Sequence, residues 1–199
     1  MKKAIFILGF ICLFSLGSNT VQAQRTNFGI RGGVNIATMT NMSDYNMLVE
    51  FSVGLYKDIG LGIDKVTFSP ELLYSRIGAK VPMYVGREIY DTNFKLDYIR
   101  IPLLLKYHFI NNSTITPSIL LGPYVGFNIR AKAVAMYEDL SLDYRPIVKT
   151  MDFGVTFGGE VAIDRFNLGV RYGFGIIDVL KGEVSEKNRV LSVVAGIGF

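Results

Sequence analysis

From Phe166 to Ile176 every second residue is large and apolar: Phe166, Leu168, Val170, Tyr172, Phe174 and Ile176 alternate with Asn167, Gly169, Arg171, Gly173 and Gly175. A two-residue period sends successive side chains to opposite faces of an extended strand and fits no helix. One face is bulky and apolar, and the other is glycine with a single charge. The chain is thereby restricted to sheet architectures.

The same parity recurs along the chain. Phe28, Ile30, Val34 and Ile36 alternate with Gly29, Arg31, Gly33 and Asn35, and Phe51, Val53 and Leu55 with Glu50, Ser52, Gly54 and Tyr56. Val66, Phe68, Leu72 and Tyr74 oppose Thr67, Ser69, Glu71 and Ser75, while Ile99 to Phe109 places its odd-numbered apolar residues against Arg100, Lys106 and His108. Further segments follow at 115–128, 152–163 and 191–199, giving eight strand candidates with the first described. Most reach the roughly 9–11 tilted residues that cross a bilayer. Three connections are short: Asp58 to Gly62, Asn111 to Ser113 and Asp164-Arg165. The four between them, Ala37 to Met47, Ala79 to Thr92, Ala131 to Ile147 and Asp178 to Asn188, are longer and richer in polar residues. Short turns at one end and long loops at the other, in alternation, is the organisation of outer-membrane barrels.

Alternation alone leaves open which face is inside. An eight-stranded barrel has an interior just wide enough for side chains to fill. The glycine-rich polar face fits that space and the aromatic-rich face does not, so the apolar face is expected to meet lipid. The lumen would then hold Arg31, Glu50, Glu71, Arg100, Lys106, Arg130, Asp152, Glu160 and Arg171. Five basic and four acidic groups can pair across a narrow interior, and a buried charge left alone is costly. The expectation is an all-β, eight-stranded antiparallel up-and-down transmembrane barrel with a packed polar lumen and no open pore.

The first 23 residues have the layout of a secretory signal: Lys2 and Lys3, an apolar run from Ala4 to Leu16, and small side chains at Val21 and Ala23 before a cut at Ala23/Gln24. The run is too short for a spanning helix. Residues 24–199 are expected to form one barrel domain in the outer membrane of a Gram-negative envelope. The single cysteine, Cys12, lies in the leader, so cleavage leaves a chain without thiols, disulfides or thiolate metal sites. It also leaves 19 basic against 17 acidic residues, a formal charge of +2, which gives no case for nucleic acid.

Tyr56, Tyr74, Tyr98, Tyr107, Phe109 and Phe166, near strand ends, are candidates for interfacial aromatic girdles. Phe199 ends the chain in register with the apolar face, a signature suited to recognition by the barrel-assembly machinery. Pro70, Pro102, Pro117 and Pro123 fall within strand patterns, where a residue without an N–H is unwelcome; bulges or strand parts above the membrane are the expected explanation.

On these residues the chain resembles the PorT-like outer-membrane β-barrel family. The resemblance rests on Phe28-Gly29-Ile30-Arg31-Gly32-Gly33-Val34-Asn35, Pro70-Glu71-Leu72-Leu73-Tyr74-Ser75, Tyr98-Ile99-Arg100-Ile101-Pro102, Leu121-Gly122-Pro123-Tyr124, Asp152 to Glu160 and Leu168 to Tyr172. It covers nearly the whole mature chain, and three of the four prolines stand where that family has them. It implies fold and location. The named member's tie to type IX secretion and gliding is not carried over on motifs of the barrel wall.

Chemistry is sparse. His108 is the single histidine and lies beside a short turn, where a rim or lumen role is expected and no second ligand makes a metal site. Glu71 and Glu160 are the carboxylates suited to acid–base work, with pairing to Arg100 and Arg171 the favoured alternative. No cofactor is expected. In the longest loop Tyr137, Glu138, Asp139, Asp143 and Tyr144 form a candidate surface for an envelope or secretion-system protein, or a hairpin extending the barrel. The expected function is a structural or protein-interaction role in the outer membrane without an active site. A narrow transport or small-ligand barrel is the alternative, and a lipid-modifying enzyme comes third.

Overall fold

The computed structural model describes residues 27–39, 46–85, 88–110, 114–135, 141–143, 148–181 and 186–199. The leader, its Cys12 and the cut at Ala23/Gln24 lie outside them. Nine strands follow in order: β1 (Asn27–Met39), β2 (Asn46–Gly60), β3 (Val66–Val85), β4 (Glu88–His108), β5 (Ile115–Ala135), β6 (Ser141–Asp143), β7 (Met151–Ile163), β8 (Phe166–Gly175) and β9 (Asn188–Gly198). Every registered pair of strands is antiparallel, and β9 pairs back onto β1 while β4 pairs with β5. Eight strands thus close into a barrel without an edge. The three-residue β6 lies outside that wall, against β5 from Lys132 to Val134.

The start of β1, the end of β9 and the described turns at 61–65 and Asp164-Arg165 share one rim. Gly62, Lys65 and Asp164 take positive φ there, and Asp is among the residues that adopt this region at least cost, which suits the two-residue link Asp164-Arg165. At this rim the Phe199 amide donates to the Phe28 carbonyl at 2.8 Å.

The alternation sorts the two faces as the period requires. Ile30, Val34, Phe51, Val53, Leu105, Ile119, Leu121, Phe157, Leu168, Val170 and Val193 are exposed on the outside, and Arg31, Glu71, Lys106, Asp152, Glu160 and Arg171 are buried inside. Exposed apolar area on this scale is stable only against lipid.

Towards the loop end the pattern inverts. Ala37, Met39, Ile77, Ala79, Leu96, Tyr98, Ala131 and Val190 are buried inside and pack with Val148 and Val179 from the long connections. On the outer face at the same height stand Arg76, Lys80, Lys95, Arg130 and Lys132. The interior is therefore a packed polar lumen through the lower part of the barrel, as expected, and above it an apolar cluster adds a second layer that was not expected. The same inversion explains why the connections at Ala79 to Thr92 and Ala131 to Ile147 read as loops. β3 and β4 stay paired to Val85↔Glu88, and β5 continues to Ala135. Beyond the apolar belt the inner face is apolar and the outer face polar, as in a soluble protein.

The prolines are not above the membrane. Registered pairs pass from Tyr56↔Glu71 to Ile59↔Phe68 across Pro70, from Pro70↔Leu103 to Leu73↔Arg100 across Pro102, and from Pro102↔Tyr124 to Leu105↔Leu121 across Pro123. Each of the three falls at an interruption of one ladder, and the interruptions step across β3, β4 and β5 at mid-barrel height. A residue without an N–H is tolerated where its neighbour offers no acceptor in register. Pro117 sits at the turn end, where its carbonyl accepts from the Phe109 amide at 3.0 Å.

Candidate functional site

The lumen holds the densest polar chemistry of the molecule. Arg31 on β1, Glu71 on β3, Lys106 on β4, Glu160 on β7 and Arg171 on β8 all point inward because each stands on the polar parity of its strand. Arg31 donates to Glu71 and, at 2.7 Å, to Glu160. Arg171 reaches Glu71 and Glu160, both at 2.8 Å. Lys106 bonds Glu160 at 2.9 Å and Asp58 at 3.0 Å. Three cations thus meet three carboxylates, and the interior is neutral at this level. With both guanidinium forks and the ammonium engaged, the pairs have the directed geometry that a desolvated ion pair needs.

Tyrosines complete the layer. Tyr56 accepts from Asn167 at 2.7 Å, Asn167 accepts from Arg31 at 2.9 Å, and the Arg31 guanidinium lies 4.3 Å from the Tyr56 ring centre. A second arrangement of the same kind stands nearer the loops. Arg100 stacks on Tyr124 at 3.8 Å, and Asp152 accepts from Tyr124 at 3.3 Å and from Asn188 at 3.0 Å. Tyr56 and Tyr98 were expected in the outer girdle, but both are buried inside; they share parity with Gly54 and with Arg100, and the period outweighs their position near strand ends. Tyr107, Phe109 and Phe166 are exposed at the turn end, with Phe199, while Tyr74 faces outward beside Phe51.

Two of the expected lumen charges lie apart from the central network. Arg130 is exposed on the outer face, because the register passes from Asp97↔Arg130 to Tyr98↔Asn128 and leaves Ile129 as an extra residue on β5. One inserted residue reverses the parity of everything after it. Glu50 pairs with Lys95 at 3.3 Å, apart from the central network and next to a register shift between Met47 and Ser52. Conversely, Asp58, Asn167, Tyr56 and Tyr124 belong to the site and were not expected among the lumen charges or their partners. The parity of Asn167 and Tyr56 was legible, whereas the inward turn of Asp58 was not.

Below the network a cavity of about 360 Å³ opens at the turn end between Asp58, Lys106, His108, Glu160, Arg165 and Asn167. Above it a smaller space of about 40 Å³ adjoins Arg100, Arg171, Ser52 and Thr156. The Arg31–Glu71–Glu160–Arg171 layer stands between the two. His108 shares a 2.9 Å hydrogen bond with the Thr67 hydroxyl. Both carboxylates proposed for acid–base work are held by arginine, and among the described residues no group of three or more His, Cys, Asp or Glu side chains converges as a metal site would. In the candidate partner loop, Asp143 lies on β6 opposite Lys132, and Tyr137, Glu138, Asp139 and Tyr144 lie outside the described residues.

A closed barrel with an apolar outer belt, a charge-paired lumen and long connections at one rim has its counterpart among known proteins. The model of the outer membrane protein beta-barrel domain matches residues 21–181. The chain belongs to this family. Its location is the outer membrane, with the belt in lipid. No curated protein matches the chain. Among solved structures, the Neisserial surface protein A is similar at 18% identity and a TM-score of 0.50, over 87% of this chain and 97% of that one. The outer membrane enzyme PagL is similar at 14% identity and a TM-score of 0.50, over 84% of this chain and 98% of that one. At such identities the likeness shows the fold alone.

Proposed function

We propose that the protein is a sealed outer-membrane anchor that presents its loop-end sheet to a protein partner in the envelope. The observation that carries this reading is the continuation of β3, β4 and β5 as a paired sheet beyond the apolar belt, above a lumen filled by ion pairs and an apolar cluster. A channel has no use for that filling, and the two carboxylates suited to the acid–base work of a lipid-modifying enzyme, Glu71 and Glu160, are held by arginine. Catalysis, including any inferred from the likeness to PagL, is therefore ranked last. The motifs around Arg31, Pro102 and Pro123 support a closer kinship with PorT-like barrels and make assembly of a secretion apparatus one context for the partner. Phe199, exposed at the rim, is assigned to recognition by the assembly machinery.

The test is crosslinking in the native envelope of the full chain and of two variants, with 81–92 or 137–144 replaced by a short turn. A partner captured by the parent and lost from either variant, while the heat-dependent gel shift persists, supports the reading. Capture unchanged in both removes it. The cavity of about 360 Å³ at the turn end favours a second reading, a small-ligand barrel open to the periplasm, since volumes of this order accommodate small molecules.

A further inference from the structure

We propose that the outward face of β3, β4 and β5, immediately beyond the apolar belt, binds the phosphorylated headgroup of an outer-leaflet lipid. The height of the site follows from the inversion of polarity. On β3 the outward residues run Val66, Phe68, Leu72 and Tyr74 and then Arg76; on β4 the sequence is Ile101, Ile99 and then Asp97; on β5 it is Val125, Phe127 and Ile129 and then Arg130. These first polar residues are cross-strand neighbours, Arg76↔Asp97 and Asp97↔Arg130. They mark one line where hydrocarbon ends.

Loopward of that line the outer face is basic. The next rows are Gly78↔Lys95↔Lys132 and Lys80↔Asn93↔Val134. Five cations, Arg76, Lys80, Lys95, Arg130 and Lys132, fall within about 13 Å along the strands and about 10 Å across them. Lys95 and Lys132 stand directly opposite each other, an arrangement that destabilises a bare sheet. Carboxylates offset part of the charge. Asp97 binds Arg76 at 2.6 Å, Glu50 binds Lys95 at 3.3 Å, and Asp143 is registered opposite Lys132. Among the described residues, five cations against three acids leave an excess of two, centred on Arg130 and Lys80. Arg130 is exposed, and its height places its guanidinium among headgroups.

The two rims differ in kind. At the turn end the outer face finishes in Tyr107, Phe109, Phe166 and Phe199, all exposed. At the loop end Arg76 lies over the Phe51 ring at 5.5 Å, and away from this face, on β9, Arg189 lies over the Phe174 ring at 3.7 Å. Arg76, stacked on Phe51 with the lysines behind it, suits an oxyanion with several acceptor oxygens, and a surface that attracts anionic lipid needs a cluster of this sort at headgroup depth.

The experiment uses the full mature chain folded in a zwitterionic detergent, titrated with a bisphosphorylated diglucosamine lipid and with the same lipid stripped of phosphate. The variant is Lys80→Gln with Arg130→Gln, neither of which lies in the lumen, and the control is Lys65→Gln with Arg165→Gln at the opposite rim. An unchanged heat-dependent gel shift establishes that each is folded. Removing two cations at headgroup depth is expected to lower affinity for the phosphorylated lipid by roughly tenfold or more, with the control at parent affinity and the stripped lipid bound weakly by all three. Equal binding by variant and parent, an equal loss in the control, or equal affinity for the stripped lipid would each overturn the proposal. Displacement of the lipid by an equal concentration of inorganic phosphate would overturn its assignment to a lipid.

Discussion

Arg31 on β1 and Glu160 on β7 meet at 2.7 Å although 129 positions separate them in the chain. Their strands are not neighbours in the wall, so the bond crosses the lumen and forms only when the barrel closes. Glu160 also accepts from Lys106 and Arg171. Replacing it with Gln would leave three buried cations short of an anion, and such a loss costs about 3–5 kcal/mol. Glu50→Gln, whose partner Lys95 is one-third exposed, should cost about 1 kcal/mol or less. Urea titrations of the gel-shifted form would read both, and equal midpoints for the two variants would remove the network from the account of stability.

A second prediction concerns the glycines under the lumen tyrosines. Gly29 is registered opposite Tyr56 and Gly154 opposite Tyr124. A methyl group on Gly29 would stand 2.5 Å from the Tyr56 ring, and one on Gly154 would stand 2.6 Å from the Tyr124 ring. Backbone oxygens crowd both positions as well, so neither tyrosine can simply swing aside. Gly29→Ala and Gly154→Ala should each destabilise by about 1–3 kcal/mol through overpacking, whereas Gly32→Ala, whose added methyl would meet only an oxygen at 3.8 Å, should be close to neutral. The three variants differ by one methyl each, so a common effect would argue against a packing cause.

These particulars show what was legible in the sequence. The belt was, because lipid imposes one rule on every strand at that depth: bulky apolar residues out, small or paired polar residues in. Phe166 to Gly175 obeys it without exception. Two things hid the remainder. The rule reverses at Arg76, so Ile77, Ala79 and Leu96 look like loop residues when they are core. A single inserted residue, Ile129, moves Arg130 from lumen to surface, and no local property of that segment announces the insertion. The pairing of Arg31 with both glutamates required knowing which strands face each other across the interior, which alternation does not encode.

The sealed lumen predicts electrical silence. Two barriers lie in series, the ion-paired layer around Glu71 and the apolar cluster of Ile77, Leu96, Val148 and Val179. Planar bilayers containing the protein should show no conductance steps across a wide voltage range, and shortening the connections that carry Val148 and Val179 should leave them silent. Steps in the parent would refute the sealed lumen. Steps only after shortening would assign the seal to the apolar cluster alone.

The paired sheet beyond the belt is expected to be dispensable for insertion. Lys80 and Asn93 are registered partners, so replacing 81–92 with Asn-Gly would close the hairpin in a two-residue turn that matches strand twist. The belt and the lumen network keep all their partners in this variant. It should reach the outer membrane and show the same heat-dependent shift as the parent. Loss to periplasmic degradation would mean that the extension is needed for assembly, and its use as a partner surface would then need a different test.

The leader reading makes the last prediction. β1 begins at Asn27, and its first registered pair, Asn27↔Asp58, lies at the same rim as Phe199. A chain cut at Ala23/Gln24 would begin three residues before the wall, with its new terminus on the periplasmic side, where the processing enzyme releases it. The intact mass of the outer-membrane form should therefore correspond to a chain starting at Gln24. Ala23→Phe, which removes the small residue before the cut, should leave the precursor in the inner membrane. A mature mass that includes the first 23 residues would show that the segment is an anchor.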